Sequence, residues 1–159
     1  MRQKELEKWL KIVIIAVAIC GLIVFSVAIP WIGHVLIAGD KNISNLYIPW
    51  LVLFLISAVP CYIILYQGWK VAGNIGIDKS FSLENADCIK LVSKLMLVDS
   101  IYFFGINICM WKVYVNHPGV ILALVFIVFA GVVISVIAAL LSHLVVKAAD
   151  LQEQSDLTI

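Results

Sequence analysis

Charge is scarce in this sequence. Asp, Glu, Lys and Arg make up 13% of its 159 residues, and Arg2 is the one arginine. Ordinary soluble domains carry ~25% charged residues. With 64% hydrophobic residues and a mean hydropathy of +1.09, the composition excludes a soluble globular enzyme, a disordered regulator and a disulfide-stapled secreted domain. The net charge of +1 excludes a nucleic-acid binder that works by bulk electrostatics. The four cysteines, Cys20, Cys61, Cys88 and Cys109, contain no Cys-x-x-Cys pair, so a redox relay or zinc ribbon lacks its ligand spacing. Ser-His-Asp, His-Glu-x-x-His, Walker and dinucleotide patterns are also missing. No catalytic residue, metal site or cofactor is expected.

What remains is long apolar runs. Four stretches, about 12–34, 46–69, 95–115 and 119–146, are each long enough for the ~20 residues a helix needs to cross a bilayer. The alternation of a transmembrane barrel strand is missing. The expected fold is all-α: one integral membrane four-helix bundle, with a central loop at about 70–94 and a tail at 147–159. The first run continues past Ser26-Val27-Ala28, longer than the core of a signal peptide, so an uncleaved first helix is expected.

Basic residues orient the chain. Arg2, Lys4, Lys8, Lys11, Lys70, Lys79, Lys90, Lys94 and Lys147 fall on one side, Lys41 and Lys112 on the other, nine against two. The positive-inside bias puts both termini and the central loop in the cytoplasm of a multi-pass plasma-membrane protein. All five tryptophans, Trp9, Trp31, Trp50, Trp69 and Trp111, fall at expected span ends, where amphipathic rings sit at headgroup level.

Within the spans, Pro60 removes a backbone hydrogen bond and predicts a kink near Ile56. Gly131, Ser135 and Ala139 recur every four residues, as do Ala138 and Ser142. Small residues on one stripe let helices approach closely, so span four is expected to be a packing seam, within the bundle or across a homodimer. Asp99 lies five residues past Lys94 and His143 four before Lys147. Together with Tyr66, Gln67 and Ser142 they predict a polar layer just inside the cytoplasmic face. That layer serves either as an ion, proton or ligand site or as an interhelical hydrogen-bond layer that sets register.

The loop is the most informative polar stretch. Gly68, Gly73 and Gly76 are expected to loosen the exit of the second helix. Asp78-Lys79-Ser80 reads as a turn, and Ser82 as an N-cap with Glu84 in the first turn. Phe81 is placed as a hydrophobic staple against Ala86 or its neighbours. Leu83, Ala86, Ile89 and Leu91 oppose Glu84, Asp87, Lys90 and Lys94, an amphipathic start to the third helix. The tail extends the fourth helix and ends acidic with an apolar terminus.

Three segments, Asp78 to Ala86, Asn116-His117-Pro118-Gly119 and Ala148 to Ile159, carry a resemblance. In them the chain resembles a bacterial family of four-span membrane proteins, the domain-of-unknown-function family 2975. The likeness covers essentially the whole chain and supplies no catalytic residues. Members are often encoded beside a very small helix-turn-helix transcription regulator. The resemblance therefore implies a non-enzymatic regulatory membrane protein that holds such a regulator, with no direct contact to nucleic acid. Phe81, Glu84, Asn85, Leu151, Gln152 and Asp156 are the expected partner-binding residues. The alternative is a small dimeric transporter or channel using the Asp99/His143 layer. A membrane enzyme that grips an anionic ligand needs clustered arginines, which this chain lacks.

Overall fold

The computed structural model describes residues 3–38, 44–112 and 118–156. Arg2, Lys41, His117 and the last three residues lie outside that set. The described residues are helical throughout apart from short turns, with no strand among them. Four helical stretches are long and apolar enough to span a membrane: Gln3–Ile37, Ser44–Gly76, Leu83–Lys112 and Pro118–Ser155. Four antiparallel crossings return both termini to the side of the loop at 77–82, called here the loop end.

The first stretch is not one regular helix. Helix α1 (Gln3–Ile23) passes into a π-helical turn at Val24–Ala28, then α2 (Ile29–Gly33) and a second π turn at His34–Ala38. Pro30 explains the first widening. Its ring clashes with the carbonyl four residues earlier, and it has no N–H to donate. The chain opens a turn instead, and the Ile29 N–H bonds the Val24 carbonyl five residues back. In the second stretch, α3 (Tyr47–Ile56) and α4 (Ala58–Gly76) are separated by Ser57. This break is the interruption that Pro60 predicts next to Ile56. The Ser57 hydroxyl, 1% exposed, caps the loose end by donating to the Phe54 carbonyl at 2.8 Å.

Helices α5 (Leu83–Lys112) and α6 (Pro118–Asp156) form the closest packed pair. Their contact repeats every seven residues, the period that keeps two helices in register as a coiled coil. On α5 the buried line is Ala86, Ser93, Ser100 and Asn107; on α6 it is Leu124, Gly131, Ala138 and Val145, with Ser135 and Ser142 beside them. Polar links lock the register. The Ser93 hydroxyl donates to the Ser135 carbonyl and the Ser135 hydroxyl to the Ser93 carbonyl, each at 2.8 Å. The Ser142 hydroxyl donates to the Ala86 carbonyl at 2.8 Å, and the Asn107 amide to the Ile121 carbonyl at 3.4 Å. Such bonds contribute ~0.6 kcal/mol each on average in a membrane interior. Slipping one helix by a residue loses all of them together.

Gly131 meets Ser100 so closely that a Cβ there would strike the hydroxyl. The small-residue stripe is therefore used inside the chain. Gly131 and Ser135 are buried against α5, whereas Ala139 is exposed. Of the three residues expected in a homodimer seam, Gly131 and Ser135 already face α5 and Ala139 alone lies on the outer surface.

The other pair is α1 on α4. The Tyr62 hydroxyl donates to the Ala18 carbonyl at 3.2 Å, and the Lys11 ammonium lies 5.0 Å from the Trp69 ring centroid. Gly68 faces Ile14, and Gly76 faces Glu7 with no room for a Cβ. These glycines do not loosen the helix exit. All three lie within α4, and Gly68 and Gly76 give α1 its close approach. Helix α4 also packs on α5, joining the two pairs.

A hydrophobic core closes the end away from the loop. It gathers Ile37, Trp50, Phe54, Ile106, Met110 and Leu124 from all four stretches. Trp50 is 3% exposed and stacks on Phe54 at 4.5 Å. It is a core residue, not a headgroup anchor, because Gly33 leaves space for its ring. Trp9, Trp31 and Trp111 are 60%, 68% and 66% exposed, as interfacial rings require.

The seam yields a direct test. Gly131→Leu forces overpacking against Ser100 and is expected to destabilise the protein by about 1–3 kcal/mol. Ala139→Leu, on the exposed side, is expected to stay within about 0.5 kcal/mol. Reversible unfolding in detergent or bicelles reads both.

Candidate functional site at the loop end

The loop between α4 and α5 is a tied structure. Helix α4 ends as Asp78 adopts φ 65°, the left-handed conformation that more often falls to glycine. The Lys79 N–H bonds the Asn74 carbonyl at 2.9 Å, and the Asp78 N–H the Ile75 carbonyl at 3.2 Å. The chain turns, and Ser82 caps α5 by accepting the Asn85 N–H at 3.3 Å, as its position predicts.

Asn85 holds the turn together. It is 1% exposed. Its side-chain amide donates to the carbonyls of Lys79 at 2.9 Å and Ser80 at 3.0 Å, and its oxygen accepts from Asn74 at 2.8 Å. Above this clasp, Lys70 and Glu84 form an ion pair at 2.9 Å, and Asn74 donates to Glu84 at 3.3 Å. Asn85 was expected to face a partner; instead it is buried and all its bonds are internal. Glu84 remains exposed but is bound to Lys70 and Asn74. The role of Asn85 is legible only in three dimensions, since an asparagine at the third position of a helix reads in sequence as neutral.

Phe81 and the α6 extension meet beside the clasp. Asp78, Lys79, Phe81, Ser82, Ala149, Gln152 and Glu153 line a cleft of about 350 Å³. Phe81 is 58% exposed and lines this cleft; Leu83 and Ile77 beside it are 56% and 63% exposed. Leu151, on the α6 extension, is 66% exposed. Of the expected partner-binding residues, the structure thus brings Phe81 and Gln152 into one cleft, with Leu151 adjacent in sequence. The side chain of Asp156 lies outside the described residues.

The expected polar layer does not assemble. Ala86 faces Ser142, and Asp99 is thirteen residues further along α5, about 20 Å at ~1.5 Å per residue. Asp99 therefore lies far from His143 along the bundle. It sits half-buried against Cys61 of α4 and near Tyr102. His143 is exposed on α6. Ser142 is committed to Ala86, and Gln67 is half-buried. Tyr66, 65% exposed, lines an apolar groove of about 470 Å³ with Ala58, Val59, Tyr62 and Ile63. Lys94 itself lies eleven residues past the start of α5, so Asp99 sits well below the loop end although only five residues separate it from a charge. Among the described residues no group of three or more His, Cys, Asp or Glu is placed to hold a metal ion.

The fold defines a four-span α-helical membrane protein. Residues 31–159 match the family described as "Protein of unknown function (DUF2975)", and the chain belongs to that family. It is 30% identical over 151 residues to the "Uncharacterized membrane protein YoaS" of Bacillus subtilis (strain 168), covering 93% of this chain and 92% of that protein. No solved structure matches.

The clasp predicts opposite effects for two substitutions. Asn85→Ala leaves buried carbonyls without donors and is expected to cost about 1–3 kcal/mol. Asp78→Gly relieves the left-handed backbone and is expected to stabilise by about 0.5–1 kcal/mol. Thermal unfolding of the two variants in one detergent measures both.

Proposed function

We propose that this chain is a non-enzymatic regulatory protein of the plasma membrane, with both termini in the cytoplasm, that binds a small helix-turn-helix transcription regulator at the loop-end cleft. One observation carries the reading. The loop at 78–82 and the α6 extension at 149–153 lie far apart in sequence but line one cleft. These are also the two stretches in which the chain's polar sequence is most distinctive.

The chemistry of the cleft supports a helical protein ligand. Phe81 supplies an exposed aromatic anchor, the side-chain type that dominates binding hot spots. Ala149 supplies a small apolar contact on the facing wall. Asp78, Lys79, Gln152 and Glu153 supply a polar rim of mixed sign. An amphipathic helix that lays its apolar stripe on Phe81 and its polar edges on the rim fits this pattern. The Asn85 clasp holds one wall in place before binding, so less ordering entropy opposes association. A regulator held there stays at the membrane and away from DNA. The transporter reading has no comparable support, since Asp99 and His143 are separated along the bundle.

The test is co-purification from membranes with a very small helix-turn-helix regulator of the kind often encoded beside members of this family. Wild-type chain is expected to retain it. Phe81→Ala with Gln152→Ala is expected to lower recovery at least about tenfold, equivalent to ~1.4 kcal/mol. Removal of residues 148–159 is expected to abolish it, and Trp9→Ala, at a residue not among those lining the cleft, to leave it unchanged. Equal recovery from all four proteins removes the proposal.

A further inference from the structure

The first two crossings are both interrupted, and the interruptions fall at one level. Contacts between the two crossings bracket it. Toward the loop end, the Tyr62 hydroxyl donates to the Ala18 carbonyl. Away from it, the Tyr47 hydroxyl donates to the Pro30 carbonyl at 3.4 Å, and Gly33 lies against the Trp50 ring. Between these brackets the π turn at Val24–Ala28 lies opposite the break at Ser57. Helices α5 and α6 run through the same level unbroken, with Ser100 of α5 on Gly131 of α6. The Ser57 N–H, which a regular helix aims at the Leu53 carbonyl, turns to the Leu55 carbonyl. The Tyr102 hydroxyl of α5 takes its place on Leu53 at 2.8 Å. The break is thus anchored to α5 on its outer side.

The two sides of this level are held differently. On the outer side all four stretches share the core around Trp50 and Phe54. On the loop-end side α5 and α6 are bonded to each other through their serines, whereas α1 buries no residue and α4 buries Ala72 alone. Helices α1 and α4 are instead joined to each other, through Tyr62 on Ala18, Lys11 on Trp69 and Gly76 on Glu7. Among the described residues, the polar ties of α4 to α5 lie at the loop end: Lys70 and Asn74 on Glu84, and Asn74 on Asn85.

We propose that α1 and α4 form one lever, which pivots at the paired breaks and is latched to α5 by Lys70, Asn74 and Glu84. A proline or a π turn interrupts the bond ladder that resists bending. Interruptions at two levels leave each helix braced by its neighbour; interruptions at one level give the pair a common axis. The lever ends in the turn at 77–82, one wall of the loop-end cleft. The 19 residues of α4 make an arm of about 28 Å at ~1.5 Å per residue. A change of about 10° at the pivot therefore moves the wall by about 5 Å. Latched, the cleft has the shape described above. Released, its wall leaves the α6 extension. This concerns the shape of the cleft and does not rest on what occupies it.

The test is a distance measurement by electron paramagnetic resonance on the full chain in nanodiscs. The four native cysteines are replaced by alanine, and nitroxide labels are placed on Ile77→Cys at the lever tip and Leu144→Cys on α6. Both positions are exposed. The latched chain is expected to give one distance. Glu84→Gln with Asn74→Ala is expected to add a second, longer by about 5 Å. Adding Ser57→Ala with Pro60→Ala, which restores the helix at the break, is expected to remove that second distance, although Pro60 lies about 20 Å along α4 from Asn74. A label pair on Leu97→Cys and Leu144→Cys, both off the lever, is expected to stay unchanged throughout. A latch variant that keeps one unaltered distance overturns the proposal. So does a second distance that survives restoration of the break, which assigns it to fraying of the loop alone. Should the Ser57/Pro60 variant fail to fold, Pro30→Ala, which returns a donor beside the π turn of the first crossing, makes the same test.

Discussion

The antiparallel register of α5 on α6 is the constraint on which the rest depends. Four positions on each helix meet every seventh residue, and the serines exchange hydrogen bonds to each other's backbone. In hydrocarbon, apolar burial does not favour one helix pairing over another, because lipid is as apolar as leucine. Close backbone approach and polar links supply the specificity. Gly131 permits the approach at Ser100, and Ser93, Ser135 and Ser142 supply the links. Once that register is set, the depth of every other residue on α5 follows, including Asp99, Lys90 and Lys94.

The same register builds the loop end. Because Ala86 pairs with Ser142, the α6 residues after 146 continue past the start of α5 and rise alongside the turn at 78–82. The cleft exists because one helix of the pair is longer than the other at this end. The turn that forms its second wall is held from below by Asn85, whose amide serves two carbonyls and whose oxygen is served by Asn74. A wall tied to the helix pair in this way keeps its shape whether or not a ligand is present. At the opposite end the Trp50–Phe54 core draws all four stretches together, and the helix interruptions at Pro30 and Pro60 shape the two stretches that reach it.

Helix α1 plays a different part. It buries no residue among those described and lies along α4 through small side chains and a few polar contacts. A helix with one neighbour in the chain presents most of its surface to lipid, and its continuous apolar sequence suits that exposure. Its lysines and Trp9 gather at the loop end, where headgroups supply counter-charge.

The amino-acid sequence by itself determined the all-α class, the four apolar crossings, the shared side of the two termini, the break at Pro60 and the Ser82 cap. Each of these follows from local chemistry: the length of an apolar run, a missing N–H, a hydroxyl before a helix. Tertiary structure alone decided the depth of the charges, the internal use of Gly131 and Ser135, the burial of Trp50 and the inward turn of Asn85. Depth along a membrane helix is relative to the helix beside it, and sequence counts it only from the nearest charge. Lys94 was a false border, and so Asp99 and His143 seemed level when the helix pairing holds them about 20 Å apart.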